Sequence, residues 1–219
     1  MTHTLHRDGD AASFRDDYIL FAMVAKGKND EGAVEKLRAF LRICAAHKPV
    51  NMGNGDLAAY HPSQAAGRRD LPLDYNAVIA GVSKPVSVAA EFDTQEKAVA
   101  AMRDVIKADL GLSVNLSTSL DQAHRCCRDT GIKPHSVEYS LGFLDRRNHL
   151  PNSQVLELST MCGHGMVSNN LAAKMIASVK ENSRTAEEAA AYLACFCPCG
   201  VYNPARAKRL LEEARTRQR

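Results

Sequence analysis

Two periodicities alternate along this chain, and their alternation limits the folds open to it. Apolar runs of strand length are followed by stretches in which apolar residues recur every three to four positions, as a single buried helix face requires. Tyr18 to Val24 (YILFAMV) is a run of the first kind. The stretch 31–47, with Val34, Leu37, Leu41 and Cys44 on one stripe, is of the second, which makes Cys44 a core residue. The pattern continues through strand-like runs at Ala77 to Val82 and Val86 to Phe92. A helix follows, opened by the D-x-x-E signature Asp93 to Glu96 and carried by Ala98, Val99, Met102, Val105 and Ile106. Leu112 to Ser117 alternates as a strand, Ser119 starts a helix that Gly131 ends, and Val137 to Leu141 alternates again. Strand and helix units joined in this order predict an α/β or α+β fold, a layered sheet with helices on at least one face.

Beyond residue 150 the balance shifts. Val155 to Thr160 has strand length and alternation. Ser168 caps an amphipathic stripe of Leu171, Met175, Ile176 and Val179. Thr185-Ala-Glu-Glu188 is a capping box, and Asn203-Pro204 starts a last helix that runs to about residue 216. The predicted organisation is a flexible leader over 1–16, an α/β domain over 17–150 and a C-terminal helical segment over 151–219, packed on it and carrying a cysteine-rich turn. Residues 49–74 have no regular pattern, and a loop that long in a compact domain tends to serve function.

Cysteine placement carries the chemistry. Four of the seven cysteines lie in two short turns of this last third: Cys162 in Met161-Cys-Gly-His-Gly165, and Cys195, Cys197 and Cys199 in Cys195-Phe-Cys-Pro-Cys-Gly200. Thiolates this close, on backbone freed by glycine and proline, suit a thiophilic metal or an iron–sulfur cluster. Cys162, Cys195, Cys197 and Cys199 are therefore the candidate metal ligands. His164 is an alternative ligand or a catalytic acid, and Gly163, Gly165 and Gly200 leave backbone N–H groups open to a cofactor. The adjacent Cys126 and Cys127 point about 100° apart on a helix, so they read as structural residues. His124 and His135 have no ligand pattern around them and read as surface or hydrogen-bonded side chains.

The C-x-C-x-C spacing matches neither the familiar ferredoxin spacings nor the usual C-x₂₋₄-C pairs of zinc sites. Among cofactors a [4Fe–4S] cluster is preferred, with zinc as the alternative and a metal-free thiol role as the third reading. The corresponding function is a metalloenzyme acting on a small molecule by redox or Lewis-acid chemistry, an oxidoreductase or lyase. His61, Arg68 and Arg69 of the 49–74 loop are placed to meet an anionic substrate, and an electron-transfer partner is compatible with a fully ligated cluster. Two alternatives stand beside it: a zinc-stabilised interaction module that binds protein or nucleic acid, and an enzyme with Cys162 as nucleophile.

Several classes are excluded or disfavoured. There is no G-x-G-x-x-G after a strand, no P-loop, no H-E-x-x-H and no G-x-S-x-G turn. The net charge of +3 is modest, Trp is absent and aromatic content is 5%, which disfavours a nucleic-acid surface of interleaved aromatic and basic residues. No stretch reaches the roughly 18 to 20 apolar residues of a membrane span, and Met1 to Asp17 lacks a signal-peptide core, so a cytoplasmic location is expected. In such a reducing compartment, seven cysteines are thiols or ligands rather than disulfides.

Overall fold

The computed structural model describes residues 2–55, 73–142, 149–197 and 199–216. His61, Arg68 and Arg69 lie outside the described residues. The fold is mixed α/β and its centre is a four-stranded antiparallel sheet. The strands are β1 (Tyr18–Met23), β2 (Asn51–Asn54), β3 (Val88–Phe92) and β4 (Ser113–Ser117), arranged β2-β3-β1-β4. Register pairs Leu20 with Ala90 and with Leu116, and Met52 with Ala90. Helix α1 (Ala33–Ala46) connects β1 to β2, α2 (Tyr75–Ala80) lies between β2 and β3, and α3 (Gln95–Ala108) connects β3 to β4. Two βαβ units are thereby interleaved, with each crossover skipping a strand, which is the split βαβ arrangement.

Helices cover both faces of this sheet, and β1 shows why. Tyr18, Leu20 and Ala22 enter one core with Leu37, Phe40 and Leu41 of α1 and Val99 and Met102 of α3. Ile19 and Phe21, pointing the opposite way, enter a second core built from the C-terminal helices. A strand buried on both sides reads as a continuous apolar run, as YILFAM does. The C-terminal layer consists of α5 (Ser153–Ser159), α6 (Asn169–Lys180), α7 (Ala186–Ala194) and α8 (Pro204–Thr216), reached after α4 (Leu120–Thr130). Three of the predicted caps form where the sequence places them, whereas the helix expected to open at Asp93 is capped by Thr94, whose Oγ1 accepts from Lys97 N–H at 3.3 Å. Ser168 accepts from Leu171 N–H, Thr185 and Glu188 close a capping box, and Asn203 Oδ1 accepts from Arg206 N–H at 2.9 Å.

Four expectations require correction. Val155 to Thr160 is helix α5, not a strand, because Asn152 caps it at Val155 N–H and because Val155, Leu156, Leu158 and Ser159 bury one helical face. Ala77 to Val82 falls largely within α2, started by Asp74, whose carboxylate accepts from the N–H groups of Asn76 and Ala77. Val137 to Leu141 joins no sheet among the described residues and is exposed along its length. Conversely, β2 arises at the start of the stretch expected to be irregular.

The first residues, expected as a flexible leader, make specific contacts with the rest of the fold. They form a 3₁₀ turn (Thr2–His6) and then a buried ionic clamp. Asp17 is fully buried and accepts from Arg206 Nη1 at 2.8 Å and from Arg7. Arg206 Nη2 donates to Ser13 Oγ at 2.8 Å and to Asp8 O at 3.1 Å, while the Phe14 ring lies 4.1 Å from its guanidinium. Two arginines thus neutralise one buried carboxylate and fasten residues 7–17 to α8. Beside them Glu91, also fully buried, accepts from Tyr18 N–H and from Asn203 Nδ2 through Oε1 alone. Burial, and then the nearby Asp17 charge, hold the Glu91 carboxyl well above its usual range.

Candidate metal centre

The two cysteine turns meet. The 160–168 turn joins α5 to α6, so it is a helix-to-helix connection and not the strand-to-helix opening that the sequence implied. The 195–203 turn joins α7 to α8 and lies against it. Donor atoms of Cys162, His164 and Cys199 all lie within 4.8 Å of one another, a grouping that could hold a metal ion. Cys197 adds a third sulfur, with its Sγ 3.2 Å from that of Cys199, and Cys199 Sγ is 3.3 Å from His164 Nδ1. Cys162 and Cys197 are enclosed, Cys199 is partly exposed and His164 is exposed, so the centre has an inner wall of sulfur and an outer imidazole.

Cys195 is the candidate ligand that the structure turns elsewhere. It is the C-cap of α7 and retains helical backbone, so its thiol points back along the helix and donates to Ala191 O at 3.2 Å. Cys197 N–H still bonds back to Ala194 O at 3.0 Å. Beyond that bond the chain is clear of α7, and Cys197 and Cys199 present their sulfurs together.

Electrostatics within the group follow from three thiols sharing one site. Hydrogen bonds from Cys197 and then Cys199 hold the Cys162 thiol well below its usual range. Cys199 is pushed up to about 12, chiefly by its bond to Cys162, and Cys197 is pushed up by burial first and then by Cys162. Three thiols that share one site thus titrate as a group, with the acidity concentrated on Cys162.

Backbone contact sets the position of both turns. Gly163 has φ 80°, and a Cβ there would collide with the carbonyl of His3. The Cys199-Gly200 backbone rests directly on Met52-Gly53 of edge strand β2, leaving no room for a Cβ at Gly53 or Gly200. What Gly163 and Gly200 make room for is therefore polypeptide, while Gly165 faces open space. Asn51 Nδ2 adds a hydrogen bond of 2.8 Å to Tyr202 O, so the sheet edge grips the turn from both sides of Gly200.

Sequence reasoning missed two neighbours of the cluster. The His3 ring stacks on that of His164 with centroids 3.7 Å apart and meets Phe21 edge-on at 5.9 Å. Burial, then the adjacent His164, lower His3 to about 4, so it is neutral at pH 7. Tyr202 is fully buried in the same core as Cys162 and Cys197, and its hydroxyl has no hydrogen-bond partner among the described residues. His3 lies in a single 3₁₀ turn and Tyr202 between α7 and α8, so no apolar periodicity marked them. A cavity of about 890 Å³ runs along β4 and is lined by Val114, Leu120, His124 and Tyr139; Cys162, His164, Cys197 and Cys199 do not border it. Among the described residues no helix is long and apolar enough to cross a membrane. No protein-family model, no curated protein and no solved structure matches the chain.

Proposed function

We propose that Cys162, His164, Cys197 and Cys199 bind a single zinc ion that fastens the C-terminal helices to the sheet and to the N-terminal turn. The observation that carries this reading is the mutual closeness of the Cys162, His164 and Cys199 donors from two distant turns, with Cys197 Sγ in contact with Cys199 Sγ. Zinc–sulfur bonds of about 2.3 Å at tetrahedral angles place ligand sulfurs about 3.7 Å apart. The 3.2 Å between the Cys197 and Cys199 sulfurs, and the placement of the Cys162, His164 and Cys199 donors within 4.8 Å of one another, are on that scale. A [4Fe–4S] cluster sets each cysteine on a different iron, which spreads the sulfurs further than these stand. The donor set therefore favours a mononuclear centre over the cubane.

Four protein donors also fill a tetrahedral ion, and a closed coordination shell is the mark of a structural site rather than a hydrolytic one. The buried Tyr202 hydroxyl fits the same picture, since a thiolate held charged by an ion offers it an acceptor. Zinc supplies charge neutralisation for three adjacent thiolates. The chain supplies the geometry, through the contact of Gly53 with the 199–200 backbone and of His3 with His164.

Cobalt substitution tests the reading. Titration of metal-free protein with Co(II) is expected to saturate at one ion per chain, with the intense visible bands of a tetrahedral centre and thiolate-to-metal charge-transfer absorption. The weak spectrum of an octahedral ion, without charge transfer, would refute a Cys₃His site.

A further inference from the structure

The three sulfurs of the centre differ in access. Cys162 and Cys197 are enclosed, whereas Cys199 retains solvent exposure and touches the exposed His164. Cys197 Sγ is 3.2 Å from Cys199 Sγ, and both residues lie beyond the end of α7. A partly exposed cysteine residue with a second sulfur in contact is the arrangement of a reactive cysteine and its resolving partner.

We propose that the centre is a site of reversible oxidation by hydroperoxides, in which Cys199 reacts first, Cys197 resolves it as a disulfide, and the metal is expelled. The expulsion rests on the zinc reading above; the disulfide does not. In the first step Cys199 Sγ attacks the peroxide O–O bond. A sulfur–oxygen bond forms, the O–O bond breaks, and the departing oxygen leaves as water with the thiol proton, giving the sulfenic acid. In the second step Cys197 Sγ attacks that sulfur. The S–S bond forms, the S–O bond breaks, and the hydroxyl leaves as water with the Cys197 proton. In total, two thiols and one hydrogen peroxide yield one disulfide and two waters. With the metal bound, the two protons come from solvent. The ion then retains only Cys162 and His164, too few donors to hold it.

Access selects this pair. Cys44 and Cys126 are buried in the other core, and Cys195 is buried and bonded to its own helix. Cys127 is the other partly exposed cysteine; it lies on α4, where its neighbour Cys126 faces the core. Cys127 therefore serves as an internal control for exposure without a resolving sulfur.

The experiment uses full-length protein with its metal content measured, treated with increasing hydrogen peroxide. One portion is read with a chelating dye for released metal; the other is alkylated, digested and mapped by mass spectrometry. The expected result is a Cys197–Cys199 disulfide, release of one metal per disulfide, and reversal of both by a dithiol reductant. Cys127→Ser is expected to leave the release rate within about twofold of the parent. Three results would overturn the proposal: Cys199 driven to sulfinic or sulfonic acid with Cys197 still free, a disulfide that omits Cys197, or oxidation confined to Cys127. If the protein holds no metal, the zinc reading fails, and the disulfide map still decides this one.

Discussion

The imidazole of His3 lies flat on that of His164, with ring centroids 3.7 Å apart and planes inclined by 12°. Through this contact the first turn of the chain fixes the orientation of the most exposed donor of the centre. Removing His3 is expected to leave the fold intact and free His164 to rotate. His3→Ala should therefore weaken metal binding by about tenfold, the lower end of what outer-sphere partners of metal ligands contribute. Competition with a chelator of known affinity measures it, and unchanged affinity would show that the stack plays no part in holding His164.

The cysteines of the last turn are expected to divide by direction, not by spacing. Cys197→Ser removes an enclosed ligand and should abolish stoichiometric zinc binding, with a fall in melting temperature that added zinc does not restore. Cys195→Ser removes only a thiol that donates to Ala191 O, so it should retain one zinc at a cost of about 1 kcal/mol. Elemental analysis and thermal melts of the two variants check this. Metal loss in Cys195→Ser with retention in Cys197→Ser would reverse the assignment.

This division marks how far the sequence is informative. Local signals held: the Thr185 capping box, the Ser168 and Asn203 caps, and Cys44 on the core stripe of α1 all stand where the residues put them. Each depends on neighbours a few positions away. The inward direction of Cys197 and Cys199 depends instead on where α7 releases its last hydrogen bond, and C-x-C-x-C spacing does not encode that. The same limit applies to short elements. Asn51–Asn54 has no β-branched residue and is a strand only because β3 pairs with it, whereas Val137 to Leu141 has a strand pattern and no partner among the described residues. Val155 to Thr160 reads equally well at either period, and the Asn152 cap decides for helix.

The approach of the 199–200 turn to the sheet edge yields a prediction that touches no ligand. A Cβ at Gly53 would overlap the carbonyl of Cys199, although the Gly53 backbone itself is not left-handed. Gly53→Ala should displace the turn, weaken zinc binding by at least about tenfold and destabilise the fold by about 1 to 3 kcal/mol. Chelator competition and denaturant unfolding measure the two effects. An alanine tolerated in both assays would contradict the close approach.

Glu91 predicts a pH dependence. Its folded form retains a proton that the unfolded chain releases near pH 4.3, so stability from this group is fully present below that value and declines as pH rises toward the folded pKa. Glu91→Gln keeps an oxygen for Tyr18 N–H and Asn203 Nδ2 and removes the titration. Relative to the parent, the variant should gain stability with rising pH by about 1.4 kcal/mol per unit within that window. Urea unfolding of both proteins across pH 4 to about 7 tests it. Parallel pH profiles would mean that Glu91 is ionised in the folded state.

Asp17 and Arg206 form the mechanical counterpart of the centre, since they tie the N-terminal residues to the helix that follows the cysteine turn. Asp17→Asn removes the carboxylate paired with Arg7 and leaves Arg206 only the more distant Glu157 Oε2 at 3.9 Å, and should cost about 3 to 5 kcal/mol in denaturant unfolding. A loss below about 1 kcal/mol would show that solvent reaches the clamp.

Metal stoichiometry of the protein as isolated under anaerobic conditions tests the central claim most directly. The account predicts a colourless protein with one zinc per chain and neither iron nor sulfide. Brown protein with iron and acid-labile sulfide in equal amounts, or a folded protein that carries no metal and takes up none, would contradict it.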